Sequence, residues 1–205
     1  MDQFRPNTQF SIFPPAIKYL LIWNAIIFLA TINIFGGGWT FLGSMVNKYM
    51  VLQPFGDGFL PWQLVTYLFL HADISHILFN MLALWIFGQS LERLWGTKRF
   101  LIYYFLTGIG AGLIHLAVSG ASAIGASGAV FGILLGFGMM FPNRYIILLI
   151  PPIPIKAKYF VAIFGTIELF SGITRTDSGV AHFAHLGGLI AGFILIKFWR
   201  LRKVE

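Results

Sequence analysis

Cysteine is absent from the 205 residues, which excludes disulfides and thiolate chemistry and leaves the redox compartment open. Charge is scarce too. Asp, Glu, Lys and Arg make up 10% of the chain, well below the roughly 25–35% that a water-facing surface carries, so an ordinary soluble domain is excluded. No His-Glu-x-x-His occurs and no carboxylate lies beside the histidines at ligand spacing, so neither a metal nor a cofactor is expected. The first apolar run is long and lacks a clear small-residue cleavage site, which argues against a cleavable signal peptide.

What is present is apolar. Hydrophobic residues are 58% of the sequence and the mean hydropathy is +0.81, the composition of an integral membrane protein. At about 20 residues per crossing, the length holds six spans and leaves no room for a separate soluble domain. The spans fall at approximately 16–35, 62–91, 100–118, 127–141, 159–172 and 180–199. Pro14-Pro15 suits a helix start, and Gly36-Gly37-Gly38 ends the first span. Residues 39–61 read as a structured interfacial loop, with Trp39, Tyr49 and Trp62 as aromatic anchors. Span two is too long for a perpendicular helix, so its first turns are expected to be loop. Glu92 to Arg99 turns the chain, and Tyr145 to Ile150 is a β-like run inside a proline-rich loop.

A net charge of +7 would suggest nucleic acid in a soluble protein, but in a membrane protein the positions of the charges matter more. With both termini in the cytoplasm, 12 of the 14 Lys and Arg residues fall on inner segments, leaving Lys48 and Arg175 outside. This is the positive-inside distribution, which drops the reversed orientation; the expected location is the plasma membrane, with no nucleic-acid partner.

Polar groups inside such spans need partners, because lipid supplies none. Ser127 lies between Gly125 and Gly128 at the head of span four. Gly128, Gly132 and Gly136 form a small-residue stripe, so packing alone is a ready explanation of this stretch. The elbow of soluble hydrolases does not fit, since Ala129 stands where its second glycine would be. Topology adds chemistry. Spans two, four and six all run from outside to inside, which brings the early residues of each into the outer half of the bilayer. His76 and Asn80 share one face of span two. His185 lies about six residues into span six, or ~9 Å deep, and Ala184, Gly188 and Gly192 make a second small stripe. If the stripes face each other, Ser127 and His185 come within hydrogen-bond reach. Imidazole can then take the serine proton, while His76, Asn80 and the Ser127 N–H face a developing oxyanion.

Gly125-Ala126-Ser127-Gly128, His76-Ile-Leu-Phe-Asn80 and Ala184-His185-Leu-Gly-Gly188-Leu-Ile-Ala-Gly192 together resemble the rhomboid family of intramembrane serine proteases, in order, from span one to span six. The resemblance implies an all-α bundle of six transmembrane helices. It also implies a cofactor-free Ser–His dyad without a third acid, with Ser127 as nucleophile and His185 as general base. Asn80, His76, Gly125 and the Ser127 backbone would form the oxyanion site. The partners implied are the bilayer and the transmembrane segments of other proteins, cut near their outer ends, and the first loop and span five would shape substrate access. Oligomeric state is not specified. Two positions depart from the family pattern. Phe131 stands where tyrosine is common and can stack on His185 without donating a hydroxyl. Trp62-Gln63 replaces a Trp-Arg pair, removing an anchoring charge.

Other readings stay open. His182 is a rival base, but it lacks the following glycines and is expected to be a loop or cap residue. Glu168 is an acid in span five, expected to cap or pair near the span's outer end. His115 is expected to bond another helix. A rhomboid-like protein that binds clients without cutting them would usually have lost the serine or the histidine, and a transporter would be expected to show an internal repeat or paired broken helices.

Overall fold

The computed structural model describes residues 12–31, 41–147, 151–174 and 181–201. The Gly36–Gly38 break, the Trp39 anchor, the end of the first span, the link containing Arg175 and Asp177, and the last basic residues lie outside these. Helix α1 (Pro15–Thr31) begins on the prolines as expected. Its first N–H groups have no helical partners of their own. Glu92 supplies them: one carboxylate oxygen accepts from Ala16 N–H at 2.8 Å and the other from Ile17 N–H at 3.0 Å.

The loop after the first span is more regular than its sequence implies. Helix α2 covers Phe41–Met50, and the chain then pairs Leu52 with Ala123 in an antiparallel bridge. Helix α3 (Gln63–Thr66) follows. Gln63 takes over an anchoring role here, since its buried side-chain oxygen accepts from the N–H groups of Gln53 and Leu60 at 3.2 and 3.1 Å. Trp62 is tied in as well, its indole N–H donating to the Tyr49 carbonyl.

The stretch from Trp62 is broken near its start, in keeping with the loop that its excess length calls for. A 3₁₀ turn at Tyr67–Phe69 ends in extended backbone at Leu70, and the helix restarts only at Ile74. Asp73 sets that start by accepting the His76 N–H on its side chain. From there α4 (Ile74–Ala83), a π-helical segment (Leu84–Gly88) and α5 (Gln89–Trp95) form one continuous helix. The turn expected at Glu92–Arg99 is confined to Gly96, whose φ of +78° few side-chain-bearing residues adopt. Helix α6 (Thr97–Ser119) starts immediately after it.

Helix α7 (Ser127–Met140) is the centre of the molecule. It is apolar all round and buried on most sides, the pattern of a helix surrounded by others. Its small stripe faces that of α9 (His182–Leu201) as expected. A methyl group built on Gly188 would overlap the Gly128 carbonyl, and one on Gly192 would lie 3.4 Å from the Gly132 Cα. Helix α6 closes a third side, where Tyr103 donates its hydroxyl to the Gly132 carbonyl at 2.7 Å. The β-like run is realised as a hairpin, with β1 (Tyr145–Ile147) antiparallel to β2 (Pro154–Lys156). Helix α8 (Ala157–Thr174) is lightly embedded for its length, burying only Ala157, Phe160 and Gly172.

Among the described residues, four helical stretches are long and apolar enough to cross a membrane: Ile74–Trp95, Thr97–Ser119, Ala157–Thr174 and His182–Trp199. Pro15–Thr31 and Ser127–Met140 are apolar but shorter. Large apolar side chains such as Trp23, Phe79, Phe170 and Phe193 point outward, where lipid would cover them.

Candidate active site

Ser127 is the first residue of α7 and His185 lies in the first turn of α9. His185 is therefore closer to its helix start than the expected span boundary places it. Its Nε2 is 2.8 Å from the Ser127 Oγ. The Phe131 ring stacks on the imidazole with centroids 4.3 Å apart and planes 12° apart, holding its orientation. On the far side of the imidazole, Nδ1 is 2.9 Å from the Oε2 of Glu168. A carboxylate only accepts, so Nδ1 carries the hydrogen. Nε2 is then left as an acceptor for the Ser127 hydroxyl proton.

Glu168 is where the fold exceeds the sequence reading. Its pairing near the outer end of span five was expected, but its partners were not. The same Oε2 that meets His185 lies 2.7 Å from the Nδ1 of His182. His182 is thus not the base facing Ser127; it opens α9 and bonds the acid on α8. The expectation that no carboxylate accompanies these histidines fails in three dimensions, because α8 and α9 are adjacent. Ligand atoms of Glu168, His182 and His185 lie within 4.8 Å of one another, the one group among the described residues with the makings of a metal site. The signal in the sequence was an ionisable residue inside an apolar span.

His76 and Asn80 lie one turn apart on α4. The His76 Nδ1 accepts the Ala72 N–H at 3.3 Å, which puts the ring hydrogen on Nε2. That Nε2 faces Gly125: a Cβ at Gly125, whose φ is +118°, would come within 2.7 Å of it and 3.8 Å of the Ser127 Oγ. The glycine thus leaves a small space bounded by a ring donor and the serine hydroxyl. Its own N–H is engaged with the Tyr67 carbonyl at 2.9 Å, so Gly125 contributes room and not a donor. Buried Asn80 donates one amide hydrogen to the His76 carbonyl at 2.9 Å. Behind His76 the buried His71 ring packs edge-on, with centroids 4.9 Å apart. His115 bonds the Ala121 carbonyl in the link that follows its own helix, instead of another helix.

A family model described as Rhomboid domain matches residues 59–202. The chain belongs to the rhomboid family. This rhomboid is 34% identical over 190 residues to Rhomboid protease GluP of Bacillus subtilis, covering 87% of the chain and 34% of that protein. It is 31% identical over 214 aligned residues to Rhomboid protein 1, mitochondrial, of Saccharomyces cerevisiae, with 98% and 58% coverage. To Rhomboid protease GlpG of Yersinia pestis it is 30% identical over 143 residues, with 69% and 49% coverage. The chain thus spans between about a third and three-fifths of these relatives' lengths. As a rhomboid with several apolar membrane-length helices, it is an integral, multi-pass membrane protein.

Proposed function

We propose that the chain is an intramembrane serine endopeptidase that cuts transmembrane segments of other proteins, using Ser127 and His185 and no cofactor. The observation that carries this reading is the Ser127 Oγ to His185 Nε2 contact of 2.8 Å, with the imidazole tautomer set so that Nε2 accepts. The relatives named as rhomboid proteases support the same activity. The arrangement is six-spanning in a plasma membrane, with α1 and α7 as the two shorter crossings and both termini in the cytoplasm, the orientation that the charge distribution favours.

In the reaction, His185 Nε2 takes the Ser127 proton as Oγ bonds the scissile carbonyl carbon, and the carbonyl electron pair moves onto oxygen. The His76 Nε2–H, the second Asn80 amide hydrogen and the Ser127 backbone N–H, exposed at a helix start, would meet that oxyanion in the space above Gly125. Collapse breaks the C–N bond, and the proton on Nε2 goes to the leaving amine. Water, activated by the same Nε2, then hydrolyses the acyl-serine. The 14 residues of α7 rise about 21 Å, short of the ~30 Å hydrocarbon thickness, which leaves the serine in a recess that water can enter.

The test is cleavage of a generic transmembrane-segment substrate by purified protein in detergent or lipid. Ser127→Ala and His185→Ala should each abolish cleavage while the protein stays folded. Normal turnover by either variant would sink the assignment.

A further inference from the structure

We infer that Glu168 is a positioning residue for His185, holding the imidazole of the Ser127–His185 pair from the side away from the serine. The inference rests on the serine-protease reading above and deepens it. Three observations carry it. The Glu168 Oε2 lies 2.9 Å from the His185 Nδ1, directly opposite in function to the Nε2 that meets Ser127. The same oxygen lies 2.7 Å from the His182 Nδ1. A neutral carboxylic acid has one O–H and could donate to only one nitrogen, whereas a carboxylate accepts from both. The three side chains are also largely shielded, with 10–13% of each exposed, so water does not replace these bonds.

The chemistry follows from the tautomer. With Nδ1–H held by Glu168, the Nε2 lone pair points at the serine, and the imidazolium formed when the serine proton arrives faces a carboxylate. Glu168 itself takes no proton, because the hydrogen stays on Nδ1 throughout. His182 holds the carboxylate from its other side, fixing the oxygen between two donors on successive turns of one helix. The acid is carried on α8, the least buried of the four membrane-length stretches, which makes this pair of bonds a polar tie between α8 and the helix that bears the base.

The experiment compares wild type, Ser127→Ala, Glu168→Gln, Glu168→Asp and Thr166→Val. The last is an exposed position on the same helix whose hydroxyl bonds only the Ala162 carbonyl. Glu168→Gln should lower kcat by at least about 10²-fold with KM little changed. Glu168→Asp should recover part of the loss, and Thr166→Val should behave as wild type. Nitrogen-15 NMR of histidine-labelled wild-type protein, assigned with a His185→Gln variant, should place the His185 hydrogen on Nδ1; in Glu168→Gln that signal should shift or vanish. Unaltered kcat in Glu168→Gln while Ser127→Ala is dead would overturn the positioning role and leave the protease reading intact. Equal cleavage by wild type and Ser127→Ala would instead overturn the protease reading. If Glu168→Gln does not fold, the wild-type spectrum decides, since a hydrogen on Nε2 of His185 refutes the inference. Loss of activity on treatment with EDTA would refute it too, by showing that the three side chains serve a metal.

Discussion

Replacing Gly188 by alanine tests whether the contact between α7 and α9 sets the reaction geometry. The added methyl would overlap the Gly128 carbonyl oxygen and sit 2.8 Å from its carbon, where ordinary contact begins near 3.4 Å. The obstacle is backbone, so no rotamer change relieves it. The helices must part by at least about 0.6 Å from that distance alone (3.4 against 2.8 Å) and by more to clear the oxygen. Gly188 lies one turn from His185, and Gly128 follows Ser127, so the separation falls directly on the 2.8 Å Ser127–His185 contact. Stretched past about 3.4 Å it ceases to be a hydrogen bond. A misplacement on the order of 1 Å costs roughly 10²-fold in rate, and overpacking of this kind costs about 1–3 kcal/mol of stability. Cleavage of a fluorescent transmembrane substrate in liposomes would read the first, and thermal unfolding in detergent the second. A Gly188→Ala protein with wild-type kcat and an unchanged Tm would show that the helices can yield here without disturbing the pair.

Asn80→Ala should lower kcat by roughly 10²-fold if the amide meets the oxyanion; an unchanged rate in the same cleavage assay would make Asn80 structural. Glu92→Ala removes two charge-assisted bonds to the start of α1 and one from the Thr97 hydroxyl. At about 1.5 kcal/mol or more for each backbone bond, unfolding should become easier by at least about 3 kcal/mol, and a Tm within a degree of wild type would refute that accounting. Asp73→Ala removes the cap of α4 and should cost about 1 kcal/mol. The Ser75 hydroxyl, and next the His76 N–H, hold the Asp73 carboxyl below its usual range. Its stabilisation is therefore present above the unfolded value of about 4 and lost as pH falls through the lower folded value. The Tm difference between wild type and variant should close in acid, and a constant gap would rule out titration of this cap.

The parts of the fold carried by local chemistry were legible before any coordinates. The helix start at Pro15 and each small stripe follow from residues within one or two turns; that the stripes face each other followed from the shared direction of spans four and six, and the stacking of Phe131 on His185 from the family resemblance. What escaped the sequence depended on distant partners. Nothing near Glu92 in the chain indicates that it satisfies the first turn of α1. The break before Ile74 was blurred because Trp62 to Leu70 is as apolar as a span. Glu168 was visible as an anomaly, but its separation of 17 positions from His185 hides the fact that α8 and α9 lie side by side. Gly125 looked like a backbone donor until Tyr67, 58 positions earlier, was found holding its N–H.

The shortness of α7 works as a ruler. Its 14 residues fall short of the hydrocarbon thickness by about 9 Å, the rise of some six helical residues. However that deficit is shared between the two faces, the serine can lie no more than about six residues below the outer boundary of a neighbouring helix. On the protease reading proposed above, a segment whose weak point falls within that margin comes within reach of Ser127, and one whose flexible stretch lies at mid-membrane does not.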